Sequence, residues 1–176
     1  MKIGLIKWRP KEPSWWPFLL DLTPICPYIV ATGRCRTYRT YRTRIMRKLL
    51  IEKVPENREL DGVKRWEEEK GEFVQIAYEE LIRHLAWFTI KRGFWRGMHY
   101  HEKKEEIFYV INGRIRAVFI DLDTKEQEEH FLEKGDKIRI QPRCWHIFYG
   151  LEEASVVEYS PQFYDKTDAP KKDMGV

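Results

Sequence analysis

Asparagine occurs at two positions, Asn57 and Asn112, cysteine at three and histidine at five in this chain of 176 residues. Cys26, Cys35 and Cys144 form an odd set without CxxC spacing, which argues against a disulfide scaffold and a thiolate zinc site. Reduced thiols suit a cytoplasmic location. Long apolar runs are missing too. The most apolar stretch, Trp15 to Val30, is broken by Pro17, Asp21, Pro24 and Pro27. It falls short of the roughly 20 apolar residues that a membrane-spanning helix needs. No small-residue cleavage site follows a clean apolar segment, so neither a membrane span nor a secretory signal is expected. Scarce Asn beside plentiful Glu, Lys and Arg leans towards a thermophilic source.

What is present is a globular composition, 43% hydrophobic and 34% charged, enough to bury a core within one domain. The formal charge of +4 is unevenly spread. Residues 1–45 hold nine of the 32 basic side chains but only two of the 28 acidic ones, so the rest of the chain is mildly acidic. This Pro- and Trp-rich arm ends in Arg36-Thr37-Tyr38-Arg39-Thr40-Tyr41-Arg42-Thr43-Arg44. Basic residues interleaved with tyrosines can follow a phosphate backbone while the rings stack on bases. Such runs predict binding loosely, so an edge strand, a swapped arm or a disordered tail is the plainer reading, and nucleic acid is not the expected partner. Balanced charge begins at Met46-Arg47-Lys48, which makes Met46 an alternative start and residues 46–176 the single domain.

Beyond Met46 the pattern is of short strands between turns. Leu49 to Val54 opens it, Arg58 to Lys70 reads as a charged connector, and Phe73 to Ala77 and Ala86 to Lys91 read as β with a looped or short helical link between them. Glu106 to Ile111 and Arg114 to Asp121 flank Asn112-Gly113, the dipeptide that most favours a two-residue hairpin. Glu126 to Leu132, Lys137 to Ile140, Trp145 to Tyr149 and Ser155 to Tyr159 follow. A succession of short strands without a long helix implies an all-β antiparallel sandwich or small closed barrel.

Three of the five histidines fall on this scaffold at useful offsets. His99 and His101 stand two apart, so in a strand both imidazoles face one point. Glu106 opens the next strand, which a short loop would lay beside the first, with Glu105 as a fallback carboxylate. His146 follows two strands later and could close the set from the opposite wall. Three neutral imidazoles and a carboxylate suit a divalent transition metal (Mn, Fe, Co, Ni, Cu or Zn) and leave positions open for substrate. His84 and His130 are given no site role.

The pattern Gly93-x5-His99-x-His101-x4-Glu106-x6-Gly113 resembles the first cupin motif. Gly135-Asp136, Pro142 and His146 resemble the second, with Arg143 where a small residue is usual. The resemblance covers about residues 73–165 and implies a cupin jelly-roll barrel, often a homodimer. Arg96-Gly97-Met98-His99-Tyr100 is similar to a segment of the dTDP-4-dehydrorhamnose 3,5-epimerase family, in which the histidine matching His99 is the metal-free base. Here His101 replaces a glutamine and the Glu105-Glu106 pair replaces a lysine, and the family's acidic tyrosine falls on Glu158, one residue before Tyr159. These departures favour a metal-binding relative.

The expected chemistry is isomerisation or epimerisation of a sugar or sugar nucleotide by metal-assisted proton transfer, with His99 and Glu158 as catalytic candidates. Arg96 suits a phosphate through its forked donors, or else forms a rim ion pair with Glu102 or Glu105. Tyr109 and Trp145 either line a carbohydrate or simply pack, and Tyr159 joins them as a binding candidate. Phe108, Val110, Ile115, Phe119, Ile138 and Ile140 read as barrel core, and Cys144 as filler. The same ligands with iron would support a dioxygenase, and a barrel without turnover would be a small-ligand-binding module.

Overall fold

The computed structural model describes residues 46–176, and the expectations for the arm of residues 1–45 lie outside them. Eleven strands follow one another: β1 (Leu49–Lys53), β2 (Lys64–Glu68), β3 (Gly71–Gln75), β4 (His84–Ile90), β5 (Trp95–His99), β6 (Glu106–Asn112), β7 (Arg114–Asp121), β8 (Gln127–Glu133), β9 (Asp136–Ile140), β10 (Cys144–Gly150) and β11 (Ala154–Ser160). One sheet has the order β1-β9-β6-β11-β4 and a second the order β5-β10-β7-β8, with every pairing antiparallel. The two enclose a core of Phe108, Val110, Ile115, Phe119, Ile138 and Ile140, all nearly inaccessible to solvent. Alternation explains the choice, since the inward residues of each strand lie two apart and are apolar or, at one end of the barrel, ionisable. Among the described residues no helix is long and apolar enough to cross a membrane.

The strands other than β2 and β5 arise where periodicity places them, but two connections differ from expectation. Asn112-Gly113 does not close a hairpin: β6 pairs with β9 and β11, while β7 pairs with β10 and β8 in the other sheet. The dipeptide is a corner by which the chain changes sheets. Gly113 takes φ +80°, and a Cβ there would collide with the backbone of Glu153 and Ala154, so glycine is required by both conformation and space. The supposed connector at 58–70 contains β2, paired with β3 as a separate two-stranded ribbon. Its residues Lys64-Arg65-Trp66-Glu67-Glu68 carry one apolar side chain, and Trp66 stacks on Phe73 with ring centres 4.1 Å apart. A ribbon outside the main core lacks the strong alternation that makes a strand readable.

Candidate functional site

The site forms where β5 and β10 of one sheet face β6 and β11 of the other. His146 pairs in register with His99, so these two imidazoles come from neighbouring strands of the same wall, with ring centres 4.7 Å apart. Glu106 and Glu158 project from the facing sheet, where Glu158 pairs with Phe108 beside Glu106. The sequence reading had placed Glu106 beside β5 and His146 opposite. The correction follows from jelly-roll pairing, which puts the consecutive strands β5 and β6 in different sheets and lays β10 beside β5.

A bulge aims β5. Gly97 pairs with Ile147 and His99 with His146, leaving Met98 as the extra residue with φ +63°. Gly97, at φ +90°, brings its backbone so close to β10 that a Cβ would lie 2.9 Å from the carbonyl oxygen of His146 and 3.3 Å from its ring. His101 stands two residues beyond the end of β5, outside regular structure, yet its ring centre lies 5.1 Å from that of His99.

These side chains converge on the Glu106 carboxylate. Oε1 faces His101 Nε2 at 3.0 Å, and Oε2 faces His146 Nε2 at 3.4 Å and His99 Nε2 at 4.0 Å. His99, His101 and Glu106 each offer a ligand atom, and those atoms all lie within 4.8 Å of one another; His146 joins the group through Glu106. Donors held about 2 Å from one ion would stand some 3 Å apart, so a modest contraction would suit the cluster to a divalent transition metal. Protonation favours the same use. Burial, with help from the neighbouring His146, pulls the His99 imidazole down to about 4. Burial also lowers His146, so both rings are neutral and carry free lone pairs near pH 7. Glu106 behaves in the opposite way. Burial alone would raise its carboxyl, but the hydrogen bond from His101 and the fields of His146, His101 and Lys104 hold it well below the usual carboxylate range. For His101, burial is outweighed by Glu106, and the net shift is upward.

Two participants escaped the sequence reading. Lys104 is buried, with Nζ 2.7 Å from Glu158 Oε1 and 3.2 Å from Glu106 Oε1, and so ties the two carboxylates together. Burial would lower its ammonium, yet the two glutamates raise it, so it is a fixed cation. Asp168 accepts the N–H groups of Glu102, Lys103 and Lys104 at 3.0–3.3 Å and lies 3.6 Å from His101 Nδ1, an atom otherwise buried without a partner. Lys104 lies in a loop and Asp168 ends the short 3-10 turn Lys166–Asp168, both in charged stretches where no periodicity distinguishes a site residue from a solvated one. His84, assigned no role from sequence, places Nε2 3.5 Å from Glu158 Oε1.

Beside the cluster lies a cavity of about 120 Å³ lined by His99, His146, Glu106, Glu158, Arg96 and Phe88, among others. Arg96 forms neither of the suggested ion pairs. Its Nε donates to the Thr89 carbonyl at 2.8 Å, and its guanidinium sits 5.2 Å over the Phe88 ring. Glu102 and Glu105 are engaged instead by Arg143 and Arg139. The three aromatic binding candidates lie elsewhere. Tyr109 alternates with inward Phe108 and faces outward, its hydroxyl in the field of Glu72 and Arg65 of the β2–β3 ribbon. Trp145, next to inward His146, packs with Val118, Ile120 and Ile147 and donates Nε1–H to the Lys172 carbonyl at 2.7 Å. Tyr159, next to inward Glu158, donates its hydroxyl to Glu80 at 2.8 Å. Cys144 is buried, and desolvation pushes its thiol up to about 12, which suits a filler rather than a nucleophile.

The sheets also match known proteins. No curated protein matches the chain in sequence. Among solved structures, the sugar 3,4-ketoisomerase of Thermoanaerobacterium thermosaccharolyticum in complex with TDP is similar with a TM-score of 0.60 and 17% identity, over 73% of this chain and 90% of that one. The dTDP-4-dehydrorhamnose 3,5-epimerase of Sulfolobus tokodaii gives 0.60 and 17%, over 75% and 84% of the two chains. A 3'-monoepimerase of Streptomyces bikiniensis, in complex with dTDP-quinovose, gives 0.61 and 13%, over 72% and 70%. At these identities the likeness is one of fold. Residues 86–159, the stretch from β4 to β11 that carries every converging side chain but the Asp168 carboxylate and the His84 ring, match the family model of the cupin domain, and this part of the chain is a cupin.

Proposed function

We propose that this cupin isomerises or epimerises a sugar or sugar nucleotide by moving a proton at a carbon beside a carbonyl, with a divalent transition metal held by His99, His101, Glu106 and His146. The observation that carries the reading is the meeting, across one small cavity, of two neutral imidazoles on one sheet with two carboxylates on the other. When bound, the metal supplies Lewis acidity toward a carbonyl or hydroxyl oxygen. The remaining work falls to the protein. Glu158 lines the cavity with Oε1 anchored on Lys104, which keeps a carboxylate aimed at bound ligand and available as proton acceptor. The proton leaves carbon for Glu158 and its electron pair moves towards the carbonyl; return of the proton to the opposite face completes epimerisation, while its delivery to the former carbonyl carbon, with the neighbouring hydroxyl proton passing to the former carbonyl oxygen, completes isomerisation. Arg96, at the cavity wall, offers a guanidinium to a phosphate.

The fold relatives support the substrate class, since one of them, a 3,4-ketoisomerase variant, was crystallised with TDP-4-keto-6-deoxyglucose. That compound is the first to test. Protein of measured metal content, incubated with it in D2O, is expected to introduce deuterium beside the keto group, read by NMR. Saturable binding without deuterium uptake would replace the enzyme by a ligand-binding module. Exchange at full rate in metal-stripped protein would remove the metal and leave a proton-transfer cupin that uses its histidines and Glu158 alone.

A further inference from the structure

Of the four proposed ligands, His101 alone stands outside a strand, because β5 ends at His99 and β6 begins at Glu106. No ladder therefore sets its position. Its carbonyl oxygen accepts the N–H of Arg143 at 2.6 Å, a short bond that reaches across from the segment leading into β10. Arg143 takes φ +62°, the left-handed region that strains any residue with a Cβ. A glycine would occupy that position without strain, so the arginine side chain must supply something else.

What it supplies is a two-armed clamp. Nε donates to Asp123 Oδ1 at 2.9 Å, and Nη1 donates to Glu102 Oε2, on the residue after His101, at 2.7 Å. The Arg143 carbonyl oxygen accepts the Leu122 N–H at 3.0 Å and Lys48 Nζ at 3.4 Å, while Lys48 also reaches Asp121 at 2.8 Å and Asp123 at 2.5 Å. One residue thus joins the segment 101–102, the turn at 121–123 and the entry to the strand that carries His146. A planar fork fits two carboxylates in fixed directions, which a lysine cannot do.

We propose that Arg143 is a positioning residue for His101: its N–H on the His101 carbonyl and its fork between Glu102 and Asp123 set where that imidazole stands against Glu106. The assignment rests on the reading of His101 as a metal ligand, and its test separates the two. Arg143→Gly keeps the left-handed backbone and the N–H donor but removes the fork, and Arg143→Lys keeps the charge without the fork.

In metal-free protein, the histidine ring signals in long-range nitrogen–proton NMR are expected to shift and broaden for His101 in Arg143→Gly, with His130 unmoved as control. Cobalt(II) titration is expected to show about tenfold weaker binding, the lower end of what losing an outer-shell partner costs a metal site. Arg143→Lys should fall between the two. Unchanged His101 signals together with unchanged cobalt affinity in Arg143→Gly would overturn the proposal. Should wild-type protein take up no cobalt, the metal reading fails by itself, and the ring spectra alone decide the clamp. If Arg143→Gly does not fold, Asp123→Asn cuts one arm and is read in the same two ways.

Discussion

The two ends of the barrel interior are built by the same strands and behave as opposites. At one end Val110, Ile115, Leu132, Ile138 and Val156 close on one another and leave no room for water. At the other, His99, Glu106, His146 and Glu158 border a cavity of about 120 Å³. On β6 the change takes four residues, from Glu106 to Val110. The dry end holds the sheets together by excluding water, and the polar end relies on paired charges that burial alone would not tolerate. Stability and chemistry should therefore be separable by mutation.

The largest expected effect is at the polar end, where His101→Ala should abolish cobalt uptake and deuterium exchange together while the melting temperature changes little. Full metal content and exchange in this variant would deprive the polar end of its proposed centre. Next comes Glu158→Gln, for which exchange should drop about 10²–10⁴-fold with metal uptake retained, the range for loss of a positioned proton acceptor. Equal losses of metal and exchange would instead make Glu158 a structural member of the cluster.

At the dry end, Ile138→Ala should destabilise the fold by about 2–5 kcal/mol, measured by denaturant unfolding, and leave cobalt affinity unaltered. A matching fall in affinity would show that the two ends are coupled.

The smallest effect lies outside both, on the outer face of the five-stranded sheet. Burial would raise the Glu80 carboxyl, but Lys137 and Tyr159, with Arg139, lower it below the ordinary glutamate range. A carboxyl lowered on folding contributes stability above its unfolded range and loses it as pH falls through the folded value. Glu80→Gln should therefore flatten the acid-side decline in melting temperature, by a few degrees at most, without touching the site. No change in that slope would mean the network is energetically silent, as many exposed ion pairs are.

Much of the site was legible because its residues obey strand spacing. His99 ends β5, Glu106 opens β6 and His146 lies within β10, and their separations match a known motif. The same parity, pursued further, excludes the three aromatic candidates. Tyr109 is odd to Glu106 and Phe108, Trp145 is odd to His146, and Tyr159 is odd to Glu158, so each belongs to the face away from the cavity. The walls were harder to read. Which strand lies beside which depends on long-range pairing, and Asn112-Gly113 looks identical whether it turns a hairpin or rounds a corner between sheets. Lys104 and Asp168 left no trace in the pattern, since outside the strands a residue's neighbours are chosen by tertiary structure alone.

Asp168 also bears on the order in which the protein is made. The carboxylate that gathers the amides after His101 lies 66 residues downstream of Glu102, and the tail beyond it lays Lys172 against Met98 and Trp145. A nascent chain that has already produced β1 to β11 still lacks the piece that secures the loop after His101. The loop after His101 is therefore secured only once the segment of Asp168 and Lys172 has been made and has docked.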